Sequence, residues 1–127
     1  MAGNLTNYLE NKLIDHFLGT TSYTMPAAVY IGLFTVAPTD AGGGTEVTGG
    51  SYARQAATFS AASSGATSND TNIDFTGMPS ATTVAIGIFD ASTSGNMLLY
   101  GTLTTNKTTD AGDTLRIATG DQDVEGV

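Results

Sequence analysis

Few side chains in this sequence have the chemistry of a catalytic group, and their spacing does not match a known catalytic motif. His16 is the single histidine, and the chain has no cysteine, which excludes thiol nucleophiles, disulfides and Cys-ligated metals. His16 follows Asp15 in a helical pattern, and no G-x-S-x-G turn presents a serine nucleophile. We therefore predict that the protein is not an enzyme and binds no cofactor.

Carboxylates are more numerous, but their positions are typical of turns. An aspartate in a turn commonly accepts hydrogen bonds from nearby backbone amides, and four acids lie in or beside Gly- and Ser-rich segments: Asp40, Asp90, Asp110 and Asp113. A glycoside hydrolase would need two carboxylates facing one cleft, about 5 to 10 Å apart. That activity is the enzymatic alternative to a structural role.

The end of the sequence, residues 120–127, is acidic. Asp121, Asp123 and Glu125 follow one another as D-x-D-x-E, which is similar to the opening of a calcium-binding loop. Such a loop also needs a glutamate at its twelfth position, and the sequence ends before that point. We expect no metal site here and predict a solvated or partner-facing tail.

The four basic residues are sparse, because 12 acids leave a formal net charge of −8. This charge opposes nucleic-acid binding, which depends on lysine and arginine neutralising phosphates. Arg54 lies in an extended pattern shortly after Glu46, and a buried arginine needs a carboxylate partner. We predict an ion pair from Arg54 to Glu46 or Asp40 that fastens the loop formed by residues 37–50.

Apolar side chains recur at helical spacing near the start of the chain, at Leu5, Tyr8, Leu9, Leu13 and Phe17. The pattern predicts an amphipathic helix from about Leu5 to Leu18, within residues 1–19, with Asn4 or Thr6 as its cap. We expect the face formed by Leu5, Leu9 and Leu13 to pack on the rest of the domain or on a neighbouring subunit. No apolar run reaches the roughly 18 residues that a membrane span needs, and no signal peptide is apparent.

From Ala28 onward the apolar period changes to two, which is typical of strands. Extended patterns cover residues 28–34, 52–59, 73–75, 82–89, 97–103 and 114–119. They predict a single mainly β domain, a jelly-roll-like antiparallel β-sandwich over residues 28–119 that follows the helix. The long loops at residues 37–50 and 60–72 are candidate contact surfaces.

Three long segments carry a family resemblance: NYLENKLIDHFLGTTSYTMP, YIGLFTVAPTDAGGGTEVTGGSYARQ and IGIFDASTSGNMLLYGTLTTNKTTDAGDTLRIATGD. The sequence resembles a family of small virion proteins of tailed bacteriophages, whose members are often labelled tail fibre proteins. The resemblance implies a virion component made in the bacterial cytoplasm, with no enzyme activity, metal or cofactor.

The chain is too short for a fibre shaft and lacks the long repeats of one. We therefore expect a capsid decoration, or cement, protein that binds the outer surface of the major capsid protein and neighbouring copies of itself. The expected interaction residues are Leu5, Leu9, Leu13, Asp40, Glu46 and Arg54. The alternative is a tail-fibre or baseplate module that contacts the host surface, although the two long loops have no aromatic residue to stack on a sugar.

Overall fold

The computed structural model of the protein describes residues 4–125. One helix and ten strands follow in order: β1 (Asn4–Leu5), α1 (Asn7–Phe17), β2 (Val29–Val36), β3 (Thr45–Glu46), β4 (Gln55–Ala57), β5 (Ala66–Ser68), β6 (Ile73–Met78), β7 (Ala81–Phe89), β8 (Met97–Thr109), β9 (Asp113–Ile117) and β10 (Asp123–Glu125). The predicted fold class, an antiparallel β-sandwich after one N-terminal helix, is confirmed.

The main sheet has the strand order β1-β8-β7-β2-β3, and β4 also pairs with β2. Two antiparallel pairs, β6–β9 and β5–β10, lie outside this sheet. The core forms where the main sheet packs on β6 and β9, and its fully buried side chains include Ile31, Leu33, Phe75, Met78 and Ile86. The alternating apolar residues of β2 and β7 therefore supply one wall of the core.

The outer face of the main sheet carries a second, smaller apolar cluster. The rings of Phe34 and Phe89 stack there with centroids 6.1 Å apart. Gly32 and Gly87 are register partners beneath these rings. A Cβ added at Gly87 would lie 2.8 Å from Met97 Sδ and 3.0 Å from Phe89 Cε1, so the absence of a side chain makes room for the aromatic pair.

The pairing of β7 with β8 changes register near Thr83. From the pair Ala85–Thr102 to the pair Thr83–Lys107, β8 advances five residues while β7 advances two. Thr83 lies beneath this bulge with no exposed surface. Its hydroxyl has no hydrogen-bond partner within residues 4–125, although buried hydroxyls normally have one.

The start of the helix differs from the prediction. Residue Leu5 belongs to β1, paired with Leu99, and α1 begins only at Asn7. Thr6 ends the strand and caps the helix, because its hydroxyl oxygen accepts a hydrogen bond from the Leu9 amide at 3.4 Å. The expectation that Leu5 lies on the helix was therefore wrong, while Thr6 was one of the two expected caps.

The two long loops and the acidic end also contain strands that the sequence pattern did not indicate. Strand β3 lies within residues 37–50, and β5 lies within residues 60–72. Within residues 120–127, which we predicted to be a solvated or partner-facing tail, Asp123–Glu125 forms a strand that pairs with Ala66–Ser68. Residues 126 and 127 of that segment lie outside the described residues.

Candidate interaction surfaces

Arg54 and Glu46 form the predicted ion pair, and it is largely sheltered from water. Arg54 Nε donates to Glu46 Oε2 at 3.0 Å, and Nη2 donates to Oε1 at 2.9 Å. Their side chains are only 10% and 25% exposed, respectively. The remaining nitrogen, Nη1, donates to the carbonyl oxygens of Ala91 at 3.1 Å and Ser94 at 2.8 Å. Arg54 therefore fastens two loops, residues 37–50 as predicted and residues 90–96 in addition.

The same pair has aromatic neighbours on both sides. The Arg54 guanidinium lies 3.5 Å from the ring centroid of Phe89, a favourable cation–π distance. The Tyr52 hydroxyl donates to Glu46 Oε2 at 2.7 Å and accepts from the Leu33 amide at 2.8 Å. Burial, followed by the hydrogen bond to Glu46, raises the pKa of Tyr52 far above its ordinary value of 10.0. Tyr52 therefore stays protonated and the Glu46 carboxylate is fully engaged.

Asp40, the other expected partner of Arg54, makes a different contact. Its side chain accepts a hydrogen bond from the Tyr100 hydroxyl, and this bond is the main cause of the raised pKa of Tyr100. The Asp40 carbonyl oxygen accepts from the amide of Asn7 at 2.9 Å. Asp40 thus joins the 37–50 loop to α1 and β8 rather than to Arg54.

A surface groove runs between residues 37–44 and residues 90–96. One part, of about 330 Å³, is lined by Phe34, Gly42, Gly43, Gly44, Glu46, Arg54, Phe89, Gly95 and Met97. A second part, of about 220 Å³, shares Gly42, Gly95 and Met97 with it and reaches Asp40. The charged side chains of the groove all form hydrogen bonds within the chain. A partner in the groove would therefore be recognised mainly by the shape of the groove and by its backbone polar groups.

The side chains of Asp90 and Asp113 close turns, as predicted. Asp90 Oδ1 accepts from the Asn96 amide at 2.7 Å, and Asp113 Oδ2 accepts from the Asp110 amide at 2.8 Å. Among the side chains that the structure describes, no three acids or histidines are grouped to hold a metal ion. No helix within residues 4–125 is long and apolar enough to cross a membrane.

The helix packs on the sheet only near its start. Leu9 is buried, while Leu13 and the strand residue Leu5 are half-buried. Of the three leucines expected to form one packed face, only Leu9 fully does so, because the second half of α1 contacts little of the sheet.

Beyond that point, α1 and the following residues expose large apolar side chains. Ile14, Phe17, Leu18 and Met25 are 55%, 74%, 78% and 82% exposed, and we call residues 14–25 the apolar segment. The Tyr23 amide donates to His16 Nδ1 at 3.1 Å, which holds residues after the helix against its end. This surface was not predicted, because Phe17 shares the helical spacing of Leu9 and Leu13. Ile14 and Leu18, which lie off that face, were a signal for it.

One comparison with known proteins identifies a relationship. A family model described as "Podophage GP4 fiber I protein gp80" matches residues 4–125. A search of curated proteins found no match. The family match confirms the resemblance to small virion proteins of tailed phages that the sequence motifs indicated.

Proposed function

The chain belongs to the podophage GP4 fiber I protein gp80 family, and we propose that it is a subunit of a fibre-type appendage on the virion. Membership makes it a phage structural protein. The observation that carries the proposal is the match itself, which spans residues 4–125 and whose description names a fibre protein. The role in capsid decoration that we first expected becomes the alternative.

The internal contacts support a structural and non-catalytic role. Arg54, Glu46 and Tyr52 use their polar atoms on one another and on the backbone of two loops. Such a network fixes the loops around the groove, and a loop that is already ordered loses little entropy when it meets a partner. The domain acts as a preformed block that contributes surface rather than chemistry.

Two features of the surface suit assembly with other virion proteins, including neighbouring copies. The net charge of −8 keeps free copies soluble and apart. The apolar segment leaves large side chains in water, and burying them against a partner is favourable by about 25 cal/mol per Å². In the alternative role, the major capsid protein would be the partner that covers this surface.

Labelling of intact virions tests the proposal. Antibodies raised against the purified protein and carrying gold are applied to phage particles, with antibodies against the major capsid protein as the positive control for the head. Gold on the tail or its appendages is the expected result. Gold spread over the head overturns the fibre proposal in favour of capsid decoration, and particles without gold overturn both roles.

A further inference from the structure

We propose that the apolar segment, residues 14–25, is the contact surface for a second copy of this chain. The proposal rests on the function proposed above in one respect, namely that the protein is an assembling subunit. It further specifies that the apolar segment is the surface through which one copy contacts another.

The exposed area of the segment matches what a specific contact between two copies requires. Four of the five large apolar side chains that the structure exposes within residues 4–125 lie here: Ile14, Phe17, Leu18 and Met25. With large apolar side chains taken as about 150 to 200 Å² each, their exposed fractions leave roughly 500 Å² of apolar surface per copy. Two such surfaces remove about 1,000 Å² from water, the lower limit for a specific interface.

The sequence around the apolar segment carries little charge, so an equally acidic second copy can approach it. Residues 11–39 contain one acid, Asp15, and one base, Lys12, while the other eleven acids and three bases lie elsewhere. The net charge of −8 therefore comes entirely from outside this region. Asp90 also lies near the segment, because it contributes to the raised pKa of Tyr23. The acids that each copy brings close to this contact are thus few compared with those on the rest of its surface, which limits repulsion between two acidic copies.

The surface is also held in place before a partner arrives. Thr6 anchors the start of α1, because its hydroxyl donates to the carbonyl oxygen of Met97 at 2.7 Å. Leu9 is buried beside it, and the bond from the Tyr23 amide to His16 holds the residues after the helix. An anchored helix loses little conformational entropy on association. Most of the free energy gained by burying the modest apolar area is therefore kept.

Sedimentation velocity of the purified full chain tests this inference. Between about 1 and 200 µM, a range that spans weak to moderate association, the average mass should rise from 12.9 kDa toward twice that value. The double variant Phe17→Ser, Leu18→Ser should stay at 12.9 kDa throughout. The control Val36→Ser removes the fifth exposed apolar side chain, on β2 and 56% exposed in the wild type, and should associate like the wild type.

Far-UV circular dichroism checks that each variant folds, and Ile14→Glu replaces the double variant if that one does not. A wild-type chain that stays at 12.9 kDa up to 200 µM overturns the inference, as does equal loss of association in Val36→Ser. If the wild type is monomeric and Phe17→Ser removes the protein from virions, the partner is another virion protein. The virion-labelling result is separate, because a protein found on the head that still self-associates leaves this inference intact.

Discussion

Replacing Arg54 with alanine should destabilise the protein more than the alanine substitution of any other charged residue. The substitution removes two hydrogen bonds to Glu46, two to loop carbonyl oxygens and the stack on Phe89. Breaking a buried ion pair from one side costs about 3 to 5 kcal/mol. Because the Glu46 side chain is 25% exposed and keeps the hydrogen bond from Tyr52, we expect the lower end, about 3 kcal/mol.

The matched control is Arg116→Ala, which removes the protein's other arginine–carboxylate pair. Arg116 Nε lies 2.6 Å from Asp74 Oδ1, but the two side chains are 58% and 37% exposed. Exposed pairs contribute little, because water and salt screen them. We expect no measurable change in the free energy of unfolding for this control.

Urea unfolding followed by far-UV circular dichroism measures both variants, at a protein concentration low enough that self-association does not add to stability. A loss of about 3 kcal/mol corresponds to a melting temperature roughly 10 to 15 °C lower for a domain of this size. A double-mutant cycle with Glu46→Gln should give a coupling of about 2 kcal/mol between the two side chains. If Arg54→Ala lowers stability no more than Arg116→Ala does, the account of the Arg54 network is refuted.

Two further outcomes follow from single side chains. Thr83→Val should raise the free energy of unfolding by about 1 kcal/mol, since it replaces an unpaired buried hydroxyl. Thr109→Val should lower it by about as much, because the Thr109 hydroxyl donates to a carbonyl oxygen at 2.8 Å. Urea unfolding checks both, and changes of the same sign in the two variants contradict the assignment. Tyr52 has a pKa raised by burial and by Glu46 from its ordinary value of 10.0, so the unfolded chain releases this proton first. Its contribution to stability is complete below pH 10 and falls as the pH rises further, by at most about 1.4 kcal/mol per pH unit. Stability measured from pH 9 to 11 should therefore fall more steeply in the wild type than in Tyr52→Phe, and equal slopes would argue against a raised pKa.

Local pattern and residue scarcity were enough to predict several parts of the structure. Strands β7 and β8 follow from two apolar alternating segments, residues 82–89 and 97–103. The Arg54–Glu46 pair follows from the need of a sheltered arginine for a nearby carboxylate, in a chain with only four bases. From the sequence, Asp40 was an equal candidate for the partner of Arg54. Only the fold shows that Asp40 instead accepts a hydrogen bond from the Tyr100 hydroxyl.

The parts that were not predicted depend on partners far away in the chain. β1 is two residues long and exists because Leu5 pairs with Leu99. β10 exists because Asp123–Glu125 meets Ala66–Ser68. Strands this short have too few residues to show a period of two, so tertiary pairing alone defines them. The exposed end of α1 was missed because an amphipathic pattern does not reveal how far a helix extends past the sheet that supports it.

The anchor of α1 sets the order in which the protein can mature on the ribosome. The Thr6 hydroxyl bonds to the carbonyl oxygen of Met97, 91 residues later in the chain. At about 5 to 20 residues per second, translation takes on the order of 5 to 20 s to supply that partner. An isolated helix of 11 residues is too short to be stable in water by itself. The apolar segment therefore acquires its final shape only after β8 has been synthesised.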